Sequence, residues 1–201
     1  MLMNTRKSNK IVKGLGVKDV KYPANIKEYD LWRQMICRCT EEYLSKRPSY
    51  VGTSCSENFK SYTFFYEWCH NQVGFGNIDE KGNCWQIDKD LLVKGNKLYS
   101  EDTCVFVPLA VNCLLTKRQS KRGVLQIGVG IHKKTGKFVA RCSNGAGVSK
   151  HIGLFCTPQE AFIAYKCFKE SLIKSIAEKY REQLDSRAYQ ALINYEVSED
   201  D

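Results

Sequence analysis

The first third of the chain carries two stripes of apolar residues at helical spacing. Intervals of three or four positions separate the members of the first stripe, which are Tyr29, Trp32, Ile36, Cys39 and Tyr43. Such intervals place side chains on one face of a helix, and the Pro and Gly of RPSYVGTSC end that helix. The second stripe follows Ser56, a candidate N-cap, and consists of Phe59, Tyr62, Phe65, Tyr66 and Cys69. Because their aromatic residues follow the helical period, both stripes predict core helices.

Strand-like segments replace the helical period near the middle of the chain. CWQIDKD predicts a short strand, the Gly95-Asn96 pair predicts a reversal, and TCVFV predicts a returning strand. Pro108 then suits the first turn of a helix, where its missing N–H is not needed. The predicted order is therefore strand, loop, strand, helix.

The last third predicts a small sheet followed by helices. VLQIGVGIHKK, KFVARCS and SKHIGLF predict three short strands, with turns at Thr135-Gly136 and Asn144-Gly145. A helix begins after Thr157, which can cap it, and Glu160 completes a capping box. A last helix begins near Ser186, and the acidic ending VSEDD is expected to fray. Together these segments predict an α+β fold.

Charge narrows the class of partner. The chain has 201 residues, of which 43% are hydrophobic, so it can bury a core. Lys and Arg number 31 against 22 Asp and Glu, which gives a net charge of +9. Such an excess favours a polyanionic partner, since bound phosphates release condensed counterions. A net positive charge that only maintains solubility is the alternative.

Two further features bear on location and metal binding. No apolar run is long enough to span a bilayer, and MLMNTRKSNK lacks the apolar stretch of a signal peptide, so a cytoplasmic protein is expected. The ten cysteines are then expected to be reduced thiols. Cys37-x-Cys39 is the only tight pair, and no second Cys or His pair follows at zinc-finger spacing. The spacing argues against structural zinc, and it favours Cys39, Cys84, Cys104 and Cys113 as small buried hydrophobes.

The middle segment has a pattern that suits phosphodiester hydrolysis. Such hydrolysis needs a divalent cation, and a hard ion such as Mg²⁺ takes oxygen ligands. A carboxylate at the end of the first strand and an amide on the helix can converge on one ion, which makes Asp88 and Asn112 candidate ligands. IDKDLLVKGNKLYSEDTCVFVPLAVN resembles the ββα-metal motif of HNH endonucleases, especially phage-encoded enzymes of the homing type. The flanking YDLWRQMICRC, RPSYVG and NFKSYTFFYEW are similar to segments that precede this motif.

On this resemblance, Asp88 matches the metal-binding Asp, Asn112 the helix-borne ligand and Thr103 the middle Asn of the family. The implied cofactor is Mg²⁺ or Mn²⁺. Lys89 departs from the pattern, because it stands where the family has its general-base His. Lysine is a poor base at neutral pH, and flanking carboxylates raise its pKa further. Lys89 could instead contact the scissile phosphate, with Asp90 or a metal-bound water as base. His70 could reach in from the preceding helix, or the fold could be catalytically inactive.

The second half has its own resemblance. GVGIHKKTGKFVARCSNGAGVSKHIGLFCTPQEAFIAYKCFKE resembles the DNA-binding domain of the ethylene-response-factor type. This likeness implies three antiparallel strands that pack on one helix and lie in the major groove. Outward-facing candidates for DNA contact are His132, Lys134, Lys137, Arg141, Lys150 and His151. Arg141 suits base reading and the lysines suit phosphates, and an ordinary solvated sheet face is the alternative.

These observations predict five segments. They are a basic arm (1–26), an HNH-like module with a helical region and a ββα motif (27–116), a basic linker (117–123), a sheet-and-helix DNA-binding domain (124–181), and a C-terminal helix with an acidic tail (182–201). Residues expected to follow the DNA backbone are Arg6, Lys117, Arg118, Lys121 and Arg122. The predicted function is metal-dependent nicking or cutting of double-stranded DNA, with no membrane or small-molecule partner. An inactive DNA-binding regulator and a phage protein that binds a host protein are the alternatives.

Overall fold

The computed structural model describes residues 9–19, 21–116, 124–145 and 147–199. The fold is α+β, as predicted. Its helices are α1 (Lys27–Arg38), α2 (Glu41–Lys46), α3 (Glu57–Lys60), α4 (Tyr62–His70), α5 (Leu109–Leu115), α6 (Pro158–Lys179) and α7 (Ser186–Ile193). Its strands are β1 (Lys10–Val12), β2 (Gly16–Lys18), β3 (Ser54–Cys55), β4 (Gln86–Asp88), β5 (Leu98–Tyr99), β6 (Val105–Val107), β7 (Val129–Ile131), β8 (Phe138–Ser143) and β9 (Ser149–Phe155).

Two compact units divide the chain. The first comprises Met1–Phe75 and Ile87–Val105, and the second comprises Gly76–Gln86 and Phe106–Asp201. This division differs from the predicted one, which assigned residues 27–116 to a single module. Side-chain contacts within the second unit explain the difference, because the Trp85 ring meets Tyr180 edge-on at 5.6 Å. The predicted linker, 117–123, lies outside the described residues.

A β-hairpin begins the described part of the first unit, where the sequence predicted a basic arm without apolar period. β1 and β2 pair antiparallel, with Ile11 opposite Val17. Gly16 allows the hairpin to lie on α1, because a Cβ there would sit 2.6 Å from the Trp32 ring. Asp19 then accepts hydrogen bonds from the Thr63 backbone N–H and the Ser61 hydroxyl. Part of the predicted arm is therefore packed, because Gly16 and Asp19 contact residues far along the chain.

The two predicted aromatic helices each form as a pair of shorter ones. The first stripe divides into α1 and α2 because α1 ends at Arg38. In the second stripe, Ser56 caps α3 as predicted, since its hydroxyl accepts from the Phe59 N–H at 3.2 Å. Ser61 caps α4 in the same way, through the Phe64 N–H. The core prediction is confirmed, because the principal side chains of both stripes are fully buried, among them Trp32, Ile36, Phe59, Tyr62 and Phe65.

The second unit contains a three-stranded antiparallel sheet in the order β7-β8-β9, and α6 packs on one of its faces. Both the strands and the helix occur where the sequence predicts them. The capping box is present, since Glu160 N–H donates to Thr157 Oγ1 and the Thr157 N–H donates back to Glu160. The core between sheet and helix includes Ala140, Cys142, Ala161, Phe162 and Tyr165.

The acidic ending, for which the sequence predicted fraying, begins with a packed residue, Val197. Val197 is 3% exposed and belongs to the core of the second unit. Its N–H donates to Glu170 Oε1 at 2.8 Å, and its carbonyl accepts from Lys166 Nζ at 2.8 Å. These bonds fix the segment that follows α7, through residue 199, against α6.

Cysteine burial follows the prediction only in part. All ten cysteines carry free thiols, and Cys104 is buried. Cys84 and Cys113 are exposed and Cys39 is half-buried, which corrects the prediction that these residues are buried hydrophobes. In α5 the inward positions belong to Val111 and Leu114, so Cys113 is on the outward side. Within the described ranges, no helix combines the length and the apolar character needed to cross a membrane.

Candidate functional site

Asp88 ends β4 with a buried carboxylate whose orientation is fixed by the backbone that follows. The residue is 5% exposed. Its Oδ1 accepts the N–H of Asp90 at 3.0 Å and the N–H of Leu91 at 2.7 Å. An Asp side chain commonly closes a turn in this way. The same turn places the next acid, Asp90, beside Asp88.

The pKa of Asp88 is raised from 3.8 to about 6. Burial is the main cause, because it disfavours the charged form, and the nearby Asp90 carboxylate adds to it. The N–H groups of Leu91 and Asp90 offset only part of this effect. The side chain of Asp90 is 50% exposed, so it keeps access to solvent. Two carboxylates held this close form a site at which a cation would relieve mutual repulsion.

The donor set fits a hard divalent cation. Mg²⁺ is usually held by one or two protein carboxylates with water and phosphate oxygens completing the shell. Asp88 and Asp90 supply that number of oxygen-bearing side chains from one turn. In the described part of the chain, no cluster of three or more His, Cys, Asp or Glu side chains could hold a metal. A closed structural site of four protein ligands therefore has no counterpart among these residues.

Lys89, which on the nuclease resemblance could contact the scissile phosphate, forms contacts within its own loop. The residue is 9% exposed. Its Nζ donates to the Asn96 carbonyl at 3.0 Å and to Asp90 Oδ2 at 3.4 Å, and it lies 5.7 Å from the centre of the Tyr99 ring. Asn96 closes the loop, because its Nδ2 donates to the carbonyls of Lys89 and Leu98. The ammonium therefore stabilises the loop that carries both acids.

Other candidates from the nuclease resemblance have local partners. His70 Nε2 lies 3.1 Å from Glu28 Oε1, a buried carboxylate of α1, and its ring contacts Tyr66 at 4.5 Å. Thr103 donates to the Leu98 carbonyl, which is a structural role at the position of the family's middle Asn. Asn112 is half-buried on α5. Asp88 belongs to the first unit and Asn112 to the second.

The predicted DNA-binding face is partly assembled on the sheet of the second unit. Arg141 on β8 is directly opposite His151 on β9, and both are exposed on the face away from α6. Lys150 differs, because it is opposite the buried Cys142 and its Nζ lies 5.0 Å from the Phe168 ring of α6. Alternation along the strands thus puts Arg141 and His151 on one face and Lys150 on the other.

The turn between β7 and β8 carries the remaining candidates of this face. His132 Nδ1 lies 2.8 Å from Thr135 Oγ1, which fixes the imidazole at the start of the turn. Lys134 and Lys137 are exposed there. Gly136, with φ +69°, supplies the left-handed residue that the turn requires. Arg6, Lys117, Arg118, Lys121 and Arg122 lie outside the described residues.

Sequence reasoning missed a group of tyrosines around an arginine in the first unit. Arg38 Nη1 donates to the hydroxyl of Tyr99 at 3.4 Å, and the phenols of Tyr43 and Tyr50 are close enough to interact with it electrostatically. The sequence carries only a weak signal for this group, because Arg38 and Tyr99 are 61 positions apart. Comparisons with protein families, with curated proteins and with solved structures find no match for this chain.

Proposed function

We propose that the protein is a metal-dependent endonuclease that nicks or cuts double-stranded DNA. The observation that carries this proposal is the buried, backbone-bound carboxylate of Asp88 next to Asp90 at the end of β4. A buried carboxylate with a raised pKa beside a second carboxylate is costly for the folded chain. Such strained pairs of titratable groups are typical of functional sites rather than of solvated loops.

In this proposal Mg²⁺ or Mn²⁺, when bound, supplies charge stabilisation at the scissile phosphate and polarises a water molecule. Asp88 would hold the ion through Oδ2, because its turn uses Oδ1, and Asp90 would either add a ligand or accept the proton of the attacking water. Lys89 neutralises part of the negative charge and keeps the loop closed through the Asn96 carbonyl. The ligand role of Asn112 is implied by the resemblance alone, and its own variant tests it.

The sheet of the second unit would recognise the duplex. Arg141 and His151 are neighbouring exposed side chains on the strand face that α6 leaves open. A guanidinium can bond a guanine edge with two parallel hydrogen bonds, whereas the lysines of the β7–β8 turn suit phosphates. The net charge of +9 favours the same partner.

Nicking of supercoiled plasmid in Mg²⁺ and in Mn²⁺ tests the proposal. We expect Asp88→Ala to lower the nicking rate by about 100-fold or more, because several kcal/mol of metal-derived stabilisation is lost. Asp79→Ala is the matched control, since Asp79 also accepts backbone N–H groups in a turn but belongs to the second unit and is not a candidate site residue. Asn112→Ala tests the predicted second ligand. Wild-type rates in the Asp88→Ala variant would rule the mechanism out.

A specific observation favours a second candidate, a DNA-binding protein without nuclease activity. Lys89 replaces the family's histidine, and its ammonium is engaged within the loop rather than available as a base. This candidate predicts duplex binding that weakens steeply between roughly 50 and 200 mM salt, with no nicking by the wild type in any divalent metal. Duplex binding that does not change with salt concentration would instead indicate a protein partner.

A further inference from the structure

A group of cations and phenols in the first unit has no assigned role. We define it as the tyrosine–cation cluster, whose members are Arg38, Tyr43, Arg47, Tyr50 and Tyr99. These side chains are in contact: the Tyr43 and Tyr50 rings meet edge-on at 5.3 Å, and the Arg47 guanidinium lies 5.5 Å from the centre of the Tyr43 ring. The 3₁₀ helix Pro48–Tyr50 and α2 bring these side chains around the end of α1.

The cluster holds positive charge without a negative partner. Among the described residues, no carboxylate pairs with Arg38 or Arg47. Other cations of the same unit do have acidic partners, as in the ion pairs Arg33–Asp30, Lys46–Glu42 and Lys60–Glu57. Arg38 is only partly exposed, so water cannot fully replace a counter-charge. A half-buried guanidinium with spare N–H donors is therefore suited to an anion from outside the chain.

The cluster adjoins the loop of Asp88. Tyr99, which is 3% exposed, receives the Arg38 guanidinium at its hydroxyl, and the Lys89 ammonium lies 5.7 Å from the centre of its ring. Lys89 in turn contacts Asp90. Lys97, two residues before Tyr99, is exposed and donates to the carbonyl of Ser49, within the 3₁₀ helix of the cluster.

We propose that the tyrosine–cation cluster binds a phosphate of the DNA strand and holds that strand beside Asp88 and Asp90. This inference rests on the proposed nuclease function. Phosphate, like carboxylate, matches the planar fork of a guanidinium; it is the anion that a DNA strand supplies, and phenol hydroxyls are further donors for it. A phosphate at Arg38 and Arg47 would neutralise the cations that the chain itself leaves unpaired. Arg38 is thus a substrate-positioning residue.

Duplex binding in EDTA tests the assignment without requiring cleavage. Affinity is measured by fluorescence anisotropy between roughly 50 and 200 mM salt for the wild type, Arg38→Gln, Arg47→Gln and the control Arg33→Gln, an exposed arginine of α1 paired with Asp30. Each cluster variant should bind about tenfold more weakly and lower the slope of log affinity against log salt by about one. Arg33→Gln should retain the wild-type slope.

Arg47 is exposed, so its variant keeps the test decisive even if Arg38→Gln does not fold. The inference would be overturned if both cluster variants had the wild-type slope of log affinity against log salt. It would also be overturned if both variants bound the duplex with the wild-type affinity. Inorganic phosphate, exchanged for chloride at constant ionic strength, separates a free-anion site from a DNA site. Phosphate binding that is lost in the variants while the duplex slope is unchanged would refute the assignment to DNA.

The outcomes also separate this inference from the proposed function. Lower slopes in Arg38→Gln and Arg47→Gln, with no nicking by the wild type, would support the phosphate site and refute the nuclease. Nicking by the wild type with unchanged slopes in both variants would support the nuclease and refute the phosphate site.

Discussion

Replacing Asp88 by Asn should stabilise the folded protein at neutral pH in the absence of divalent metal. The carboxylate of Asp88 is buried and adjoins Asp90, which raises its pKa from 3.8 to about 6. Asn has nearly the same shape, and its Oδ1 can still accept the N–H groups of Asp90 and Leu91. The substitution therefore removes the charge and keeps the turn.

The expected magnitude follows from linkage between protonation and folding. Well below pH 3.8 the carboxyl of Asp88 is protonated in both the folded and the unfolded chain, so its titration contributes nothing to the pH dependence of stability there. As pH rises from about 4 to 6, the unfolded chain releases the proton first, and the wild type loses stability relative to the variant. A pKa raised from 3.8 to about 6 lowers the free energy of unfolding of the wild type by about 3 kcal/mol, and this full loss is reached above pH 6.

Urea unfolding in EDTA at a series of pH values between 4 and 8 measures this difference. The free energy of unfolding of Asp88→Asn should exceed that of the wild type by an amount that grows with pH. Asp79→Asn is the matched control, and it should lower the free energy of unfolding at neutral pH rather than raise it. Hydrogen bonds from Asn83 and Lys81 hold the pKa of Asp79 below its usual value, so its charged form stabilises the fold. Mg²⁺ should narrow the gap at pH 7 by stabilising only the wild type. A variant less stable than the wild type at pH 7 would refute the reasoning.

Three further predictions concern single substitutions. Gly16→Ala should cost about 1 to 3 kcal/mol in urea unfolding, because its Cβ would overlap the tryptophan ring of α1. Gly145→Ala should destabilise more than Gly136→Ala in thermal melts: both have positive φ, but only the first places a Cβ 2.5 Å from a backbone oxygen of α5. Arg141→Gln should weaken duplex binding about tenfold, measured by anisotropy, while Lys150→Gln, on the helix side of the sheet, should weaken it less.

Elements with local signals could be predicted from the sequence. The capping box of Thr157 and Glu160, and the cap at Ser56, depend on residues within four positions of each other. The strands of the second unit are short β-prone segments with Gly-containing turns at Thr135-Gly136 and Asn144-Gly145, so their positions could be predicted as well. These features are confirmed because their physical causes are contained in short windows of the chain.

Features that depend on distant partners could not be predicted in the same way. The first hairpin is fixed by Gly16 on Trp32 and by Asp19, which accepts from Thr63. The tail is fixed by Val197, whose backbone is bonded to α6. Neither segment has a period or a motif that indicates burial. Their basic and acidic compositions suggested solvated ends, and long-range packing decided otherwise.

The residues of the candidate site also differ in whether local or distant contacts determine their placement. The turn acids Asp88 and Asp90 could be found by their place after a strand, whereas the loop contacts of Lys89 depend on Asn96 and Tyr99. Tyr99 contacts two groups with uncompensated charge. The Arg38 guanidinium, which has no acidic partner among the described residues, donates to its hydroxyl, and Lys89, which contacts the acidic pair Asp88 and Asp90 through Asp90, lies over its ring. A bound phosphate with a divalent cation would compensate both at once, so the two ligands are expected to bind with positive coupling.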